Sequence, residues 1–594
     1  MAGFTTRPEL VGSFGMVGST HWLASAAGFG ILERGGNAFD AAAATAFTLQ
    51  VVEPHLNGPG GEAPIILHHA ESKRTVVVCG QGVAPKAATI AAYHDLGLDM
   101  VPGAGFLAAC VPGTVDAWLH VLANYGTKPV AEILAPAIHY AEAGFPALPG
   151  ISGSLIGMRK LFNNDWPTSA ALWLRDGEAP TTGEILKNPQ MGAMYRRLVK
   201  EAEAAKGGRE AQIESARRAW STGFVAEAID KFVRTPLMDS SGRRHAGVIT
   251  GDDMAAWRAS EEDPVSYQYG DYNVLKCGPW GQGPVFLQQL ALLAGFDLGK
   301  MEPNGPDFIH TYIECAKLAF ADREAYYGDP NFVKVPLDQL LDAKHNAERR
   351  KLVGATASLE NRPSIIPGFT IVPTPITGAD ANIDTPAVSV GEPTVRRDGV
   401  VKGDTVHLDT VDKWGNMVAA TPSGGWFQSS PTIPELGFCL GSRAQMFWLE
   451  QGHPSALAPG KRPRTTLTPT MAFRDGKPYI AFGTPGGDQQ DQWTLVSFLH
   501  HVHHGMNLQE AIDAPAFHSE HMRSSFYPRT AKPGVLVAEK RLSDATVAEL
   551  KRRGHKVELT GEWSLSRMAA VSQQDGLFRA AASPRGMQGY AVGR

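Results

Sequence analysis

Cysteine is scarce and scattered. The 594-residue sequence carries five, Cys79, Cys110, Cys277, Cys315 and Cys439, an odd number with no C-x-x-C spacing. That argues against a disulfide framework or a zinc site. Long apolar runs are missing too, and no uninterrupted stretch is long enough to span a bilayer. The opening, Met1 to Leu10, has no basic segment followed by an apolar one, so no signal peptide is expected. Charge of one sign is not in excess: 55 Lys and Arg stand against 60 Asp and Glu, a net charge of -5. Such a surface has no general attraction for nucleic acid or membrane, and any charged substrate must be handled locally. There is no G-x-S-x-G elbow, which leaves a standard alpha/beta-hydrolase unsupported. Internal repeats and low-complexity tracts are absent as well. These absences point to a soluble, cytoplasmic protein of a reducing compartment.

What is present is a globular balance, 43% hydrophobic and 19% charged residues, enough for a large core. Residues 37–52 read as an apolar helix capped by Asn37, with Pro54 beyond its end. Residues 309–327 form a second helix, closed by Gly328 and Pro330. Further helical stretches fall near 114–124 and 131–143, and strand-like runs at 64–68 and 75–78. Helices and strands interleave, so the class is mixed, α/β (α+β).

Composition changes near residue 354. From Gly354 to Asp404 the chain is rich in Pro, Gly, Thr and Asp without periodicity, which predicts a flexible linker. At Thr405 an alternating strand begins (405–412), turns at 413–416 and returns over 417–421. A second hairpin spans 469–483 with its turn at Asp475-Gly476. Gly486-Gly487 then leads into a helix over 488–504.

Two features carry chemistry. If the Asp404–Thr405 bond were cut, Thr405 would hold a free α-amine beside its hydroxyl. That amine, with a pKa near 8 in model peptides, can serve as general base for the hydroxyl. On its own, a threonine opening an ordinary strand is the simpler reading. Backbone N–H groups at Gly486-Gly487, ahead of a helix, suit the oxyanion of a tetrahedral intermediate. A tight connection needing glycine explains them equally well. Gly58-Pro-Gly60-Gly-Glu-Ala63 is followed by a strand, not the helix that a dinucleotide fingerprint needs. His500-His-Val-His-His504 has i,i+4 pairs but no carboxylate, and reads as a solvated helix end rather than a metal site.

Ordered motifs decide between these readings. Gly35-Gly-Asn-Ala-Phe-Asp40, Val52-Glu-Pro-His55, Gly58-Pro-Gly-Gly61, Val111-Pro-Gly113, Leu134-Ala-Pro-Ala137, Ala143-Gly-Phe-Pro146, Lys317-Leu-Ala-Phe-Ala-Asp-Arg323, Gly328-Asp-Pro330, Ala458-Pro-Gly-Lys-Arg-Pro463, Pro485-Gly-Gly487 and Leu508-Gln-Glu-Ala-Ile-Asp-Ala-Pro515 occur colinearly. The sequence resembles the gamma-glutamyltranspeptidase family over nearly its whole length. The resemblance implies a four-layer αββα sandwich of the N-terminal-nucleophile hydrolases. It implies autocatalytic cleavage at Asp404-Thr405, giving a large subunit (1–404) and a small one (405–594) that interleave as one structural unit. Thr405-Val406-His407 stands where the family has T-T-H, making Thr405 the implied nucleophile. Ser423 matches a threonine that touches the nucleophile's amine. Thr465 and Thr466 match paired serines at the substrate carboxylate, and Gly486 and Gly487 match the oxyanion-hole glycines. His407 is a supporting residue or a core one.

Departures accompany the match. Gln81 replaces the arginine that clamps the substrate α-carboxylate, Gly425 an asparagine, and Gly441-Ser-Arg-Ala-Gln-Met-Phe447 the N-N-x-M-D-D-F segment, with Gln445 at the aspartate that holds the α-amine. A bidentate arginine contact is hard to replace with a neutral amide. Trp426, Phe447 and Trp448 suggest an aromatic pocket mouth, and the short segment from Phe447 to Ala458 suggests no lid. The expected activity is hydrolysis or transfer of the acyl group of a small gamma-glutamyl or related amide, with water or an amine as acceptor. No metal or organic cofactor is required. An acylase acting on a glutaryl or other N-acyl amide is the alternative, and an unprocessed, non-catalytic homologue a second one.

Overall fold

The computed structural model describes residues 4–373 and 405–594 of the chain. Two seven-stranded sheets, both antiparallel, lie at its centre. One runs Leu10–Gly12, Leu577–Ala582, Ala569–Gln574, Lys477–Gly483, Thr470–Arg474, Tyr272–Lys276, Val265–Tyr269. The other runs Tyr590–Gly593, Gly15–Ser19, Leu408–Asp412, Met417–Ala420, Ala63–His69, Arg74–Gly80, Ser260–Glu262. Each sheet mixes strands from both described segments of the chain.

The facing sides of the sheets close on one another through Met16, Ile66, Leu275, Trp280, Met417 and Met471. Outside the second sheet lie the helices Trp22–Glu33 and Ala38–Val52, and outside the first Pro284–Leu293 and Gln490–His504. Helix, sheet, sheet, helix is the four-layer αββα sandwich. Every residue of Ala38–Val52 is buried, which is why its sequence is apolar all round. Asn37 Oδ1 accepts from the N–H of Phe39 and of Asp40, both at 3.0 Å, and Asp40 Oδ2 accepts the Asn37 N–H at 3.0 Å. This reciprocal capping box fixes where the helix starts.

Most elements fall where the sequence places them, with shifts of a few residues. The second helix is Pro306–Tyr326, begun early because Pro306 occupies its first turn. The strand expected from Thr405 is regular only over Leu408–Asp412. Residues 354–366 hold neither helix nor strand, but they are tied to Pro306–Tyr326 rather than loose. Ser364 Oγ donates to Asp322 at 2.7 Å, the Ser358 N–H to Glu314 at 3.2 Å, and Lys317 Nζ to the Ser358 carbonyl at 3.0 Å. Asp404 and the rest of the expected linker, from 374 on, lie outside the described residues.

The histidine cluster needs correction. His500 is fully buried, its Nδ1 3.0 Å from His504 Nδ1 and its Nε2 3.2 Å from Asn304 Oδ1. Burial pushes His500 down to about 3, so it is a neutral core residue and not a solvated helix end. Among the described residues, no group of three or more His, Cys, Asp or Glu could hold a metal ion. All five cysteines are buried and free of disulfides, and among the described residues no helix is long and apolar enough to cross a membrane.

Candidate functional site

Thr405 sits at the entrance to Leu408–Asp412, in the second sheet. It forms an antiparallel bridge with Ser423, and the Val406 N–H reaches the Pro422 carbonyl at 3.0 Å. Thr405 Oγ donates to Ser423 Oγ at 3.1 Å, and both residues are buried. Ser423 is held in turn by Glu62 through paired backbone hydrogen bonds of 2.8 and 2.9 Å.

The glycines of Gly58-Pro-Gly-Gly61 make that contact possible. A Cβ on Gly61 would stand 2.0 Å from the Ser423 carbonyl oxygen, and one on Gly60 2.0 Å from that of Cys439. Only a chain without side chains can run this close to 423–425 and 439–441. The motif is backbone packing, and it delivers Glu62 to the site.

Glu62 meets a residue that sequence reasoning passed over. Arg443 Nε donates to Glu62 Oε1 at 2.5 Å, and Arg443 Nη2 to Ser423 Oγ at 3.0 Å. Burial pushes the Glu62 carboxyl above its ordinary value, against the pull of the Arg443 charge. The signal was legible: Arg443 is the one charged residue in Gly441-Ser-Arg-Ala-Gln-Met-Phe447. The family resemblance points instead to Gln445, two residues on.

Gln445 is spent on the protein itself. Its Nε2 donates to Ser442 Oγ at 3.0 Å and to the Gly103 carbonyl at 3.3 Å, and its Oε1 accepts the Tyr527 N–H at 3.1 Å. Gln81 is fully buried just beyond the strand Arg74–Gly80. Its Nε2 donates to the Gly82 carbonyl at 3.1 Å, which leaves Oε1, an acceptor, without a partner. An uncharged group presenting an acceptor is a poor seat for a carboxylate. The expected aromatic mouth also needs correction. Trp426 and Phe447 are buried, Phe447 within a core with Tyr93 and Leu107. Trp448 is stacked on His453 at 4.5 Å and capped by Arg529 at 4.2 Å.

Gly486 and Gly487 lie where the first sheet ends. Their φ values are 129° and 54°, both left-handed, and a Cβ on Gly486 would come 2.2 Å from the Trp493 ring. A short turn, Gly487–Gln489, follows and runs into the helix Gln490–His504. Amides ahead of a helix have no partner four residues back. Arg323 holds this loop: its Nη1 reaches Asp488 and, at 2.7 Å, Gln282 Oε1, while Gln282 Nε2 donates to the Gly487 carbonyl at 3.3 Å. The Gln282 N–H donates to the Thr465 carbonyl at 2.9 Å, joining Thr465 to the same unit. Thr466 Oγ is buried and has no partner.

His407 links the two halves. A Cβ on Gly483 would be 2.3 Å from its ring, so the strand leading to Gly486 abuts a residue two positions from Thr405. Its Nδ1 bonds Thr421 Oγ at 2.9 Å and its Nε2 both Asp409 oxygens at 2.9 Å. Both ring nitrogens are occupied inside the hairpin, so His407 braces the strand from below. Burial pushes Asp409 up to about 6, opposed by His407.

The αββα sandwich and the sequence along it are shared with known proteins. The family model for gamma-glutamyltranspeptidase matches residues 24–593. The chain belongs to the gamma-glutamyltranspeptidase family. The glutathione hydrolase-like YwrD proenzyme of Bacillus subtilis (strain 168) is 30% identical over 591 residues, 98% of this chain and 99% of that one. The acylase ACY 1 proenzyme of Pseudomonas sp. (strain SE83) is 31% identical, covering 98% of this chain and 94% of its own. The solved structure of LmbA2991HD is 52% identical with a TM-score of 0.93, each chain covered completely. The relatives of this chain thus include proenzymes named glutathione hydrolase-like and acylase, each similar over 98% of it.

Proposed function

We propose that the chain cuts its own Asp404–Thr405 bond and that Thr405, so freed, is the nucleophile of an amide hydrolase or acyltransferase. The observation that carries this is the buried Thr405 hydroxyl, 3.1 Å from Ser423 Oγ. Its backbone already lies at the strand entrance that the reaction needs. Thr405 Oγ attacks the amide carbonyl while its proton passes to the Thr405 α-amine. The oxyanion is taken by the N–H groups of Gly486 and Gly487. The leaving amine departs with the proton, and water or a second amine releases the acyl group. The proenzyme names of the relatives support the maturation step. On a denaturing gel, the 63.6 kDa chain should give two bands, roughly two-thirds and one-third of its mass. Thr405→Ala should give one band and no turnover. A fully active preparation consisting of a single intact polypeptide would refute the mechanism.

Two residues favour an acyl group other than gamma-glutamyl. Gln81 offers no charge for an α-carboxylate, and Gln445, with every polar atom engaged by protein, offers nothing to an α-amine. An acylase among the relatives fits this. Release from a glutaryl anilide is expected to match or exceed release from the gamma-glutamyl anilide. A strong preference for the gamma-glutamyl compound would overturn this choice of acyl group.

A further inference from the structure

The Gly58-Pro-Gly-Gly61 motif and Arg443 have no place in the mechanism so far, yet they converge on its nucleophile. The glycines let the chain run against 423–425, so that Glu62 and Ser423 exchange backbone hydrogen bonds of 2.8 and 2.9 Å. The Glu62 side chain then receives Arg443 Nε at 2.5 Å, and Arg443 Nη2 donates to Ser423 Oγ at 3.0 Å. Ser423 Oγ is the atom to which Thr405 Oγ donates, at 3.1 Å. The guanidinium Nη2 is therefore within 6.1 Å of Thr405 Oγ (3.0 + 3.1). Arg443 is 2% exposed and is packed between the rings of Trp426 and Phe526, each centred 5.9 Å away.

We propose that Glu62 and Arg443 are a positioning pair for the nucleophile, acting through Ser423. A serine hydroxyl rotates freely and has one proton and two lone pairs. With Arg443 donating to it, Ser423 Oγ presents its remaining lone pair to Thr405, which fixes the Thr405 side-chain rotamer in the uncut chain. Once cleavage frees the α-amine, the hydroxyl proton turns to it while the oxygen keeps its place. Glu62 sets the guanidinium fork in plane, a task for which arginine's geometry is suited. A large-subunit carboxylate thereby orients a small-subunit nucleophile. The proposal rests on Thr405 being that nucleophile.

Arg443→Ala should lower kcat of the matured enzyme about 10- to 100-fold, the value of one hydrogen bond to a charged group. KM should stay within about threefold, because Arg443 does not touch substrate in this scheme. Guanidinium ion at tens of millimolar should recover part of kcat in Arg443→Ala, and Arg443→Lys should retain more kcat than alanine. Unchanged kcat in Arg443→Ala overturns the proposal. So does a loss that neither guanidinium nor lysine repairs in a protein of parental Tm. If Arg443→Ala does not fold, the isosteric Glu62→Gln decides: a fall in kcat at constant KM supports the pair, and parental kcat overturns it. Failure of the nucleophile reading looks different, since Thr405→Ala would then keep its activity.

Discussion

Replacing Gly486 with alanine tests the geometry of the proposed oxyanion loop most directly. The new methyl group would lie 2.2 Å from the Trp493 ring, whereas ordinary contact begins at 3.4 Å, so something must move by 1.2 Å (3.4 − 2.2). Trp493 is 2% exposed and packed against Val535, Val537 and Leu565, so the loop is the softer partner. Alanine also resists a φ of 129°, at about 1–2 kcal/mol, and overpacking adds about 1–3 kcal/mol. A displacement of roughly 1 Å in a positioning group costs about 100-fold in rate, and loss of one oxyanion donor about 100- to 1,000-fold. Gly486→Ala should therefore lose about 100-fold or more in kcat, with a lowered Tm and little change in KM. Gly476→Ala is the control: its φ of 73° is also left-handed, but nothing lies within 4 Å of a Cβ there. It should bear the backbone cost alone and keep its kcat. Chromophoric anilide release under steady state, alongside a gel for maturation, reads both. A matured Gly486→Ala enzyme with kcat within threefold of the parent would refute the assignment of this loop.

Three further outcomes follow from the packing. His21, His453, His500 and His555 are pushed by burial to about 3, and His521 to about 4, from 6.5. The folded state therefore binds fewer protons than the unfolded one below 6.5, and stability falls as pH drops from there towards 4. At pH 5.5 the five imidazoles should take up about 4.5 protons on unfolding while the buried Glu53 and Asp409 carboxyls, raised to about 7 and about 6, release about 1.5, a net uptake of about three. A Tm that is flat between pH 7 and 5.5 would contradict these burials. Gln445→Met, which strands the Tyr527 N–H and the Gly103 carbonyl, should cost about 1–3 kcal/mol in chemical denaturation and leave KM unmoved. A KM shift beyond threefold would return Gln445 to the substrate. Asn37→Ala removes half of the capping box and should cost about 0.5–2 kcal/mol, with wild-type kcat, as read by thermal melts and steady-state kinetics.

The sequence made the fold class visible, and it named several of the residues gathered at the candidate site, for identifiable reasons. Ala38–Val52 was legible because its cap and its all-apolar faces act locally, and Thr470–Gly483 because Asp475-Gly476 marks a turn. Gly486 and Gly487 were legible because left-handed backbone leaves a glycine signature. Contacts between distant parts of the chain left no such trace. Arg443 stands out as the one charge in its segment, but nothing in the sequence pairs it with Glu62, 381 residues away. His500 was misjudged because helix-end statistics say nothing of Phe308, whose ring stacks on it at 5.1 Å. The aromatic mouth failed for the same reason: Trp448 is large and apolar, but His453 and Arg529 enclose it. Val406, the one change inside the T-T-H triplet, is fully buried in the apolar core, where a hydroxyl would have gained nothing.

Neither half of this molecule owns a complete sheet. Leu408–Asp412 is flanked by Gly15–Ser19 on one side and Met417–Ala420 on the other, and Thr470–Arg474 by Tyr272–Lys276 and Lys477–Gly483. A cut anywhere between 374 and 404 would thus produce two polypeptides that dilution cannot separate, because parting them means tearing strands out of both layers. Refolding of the nicked form would depend on protein concentration. Renaturation would demand that two fragments find each other and thread their strands alternately, a second-order search that the continuous chain performs within itself.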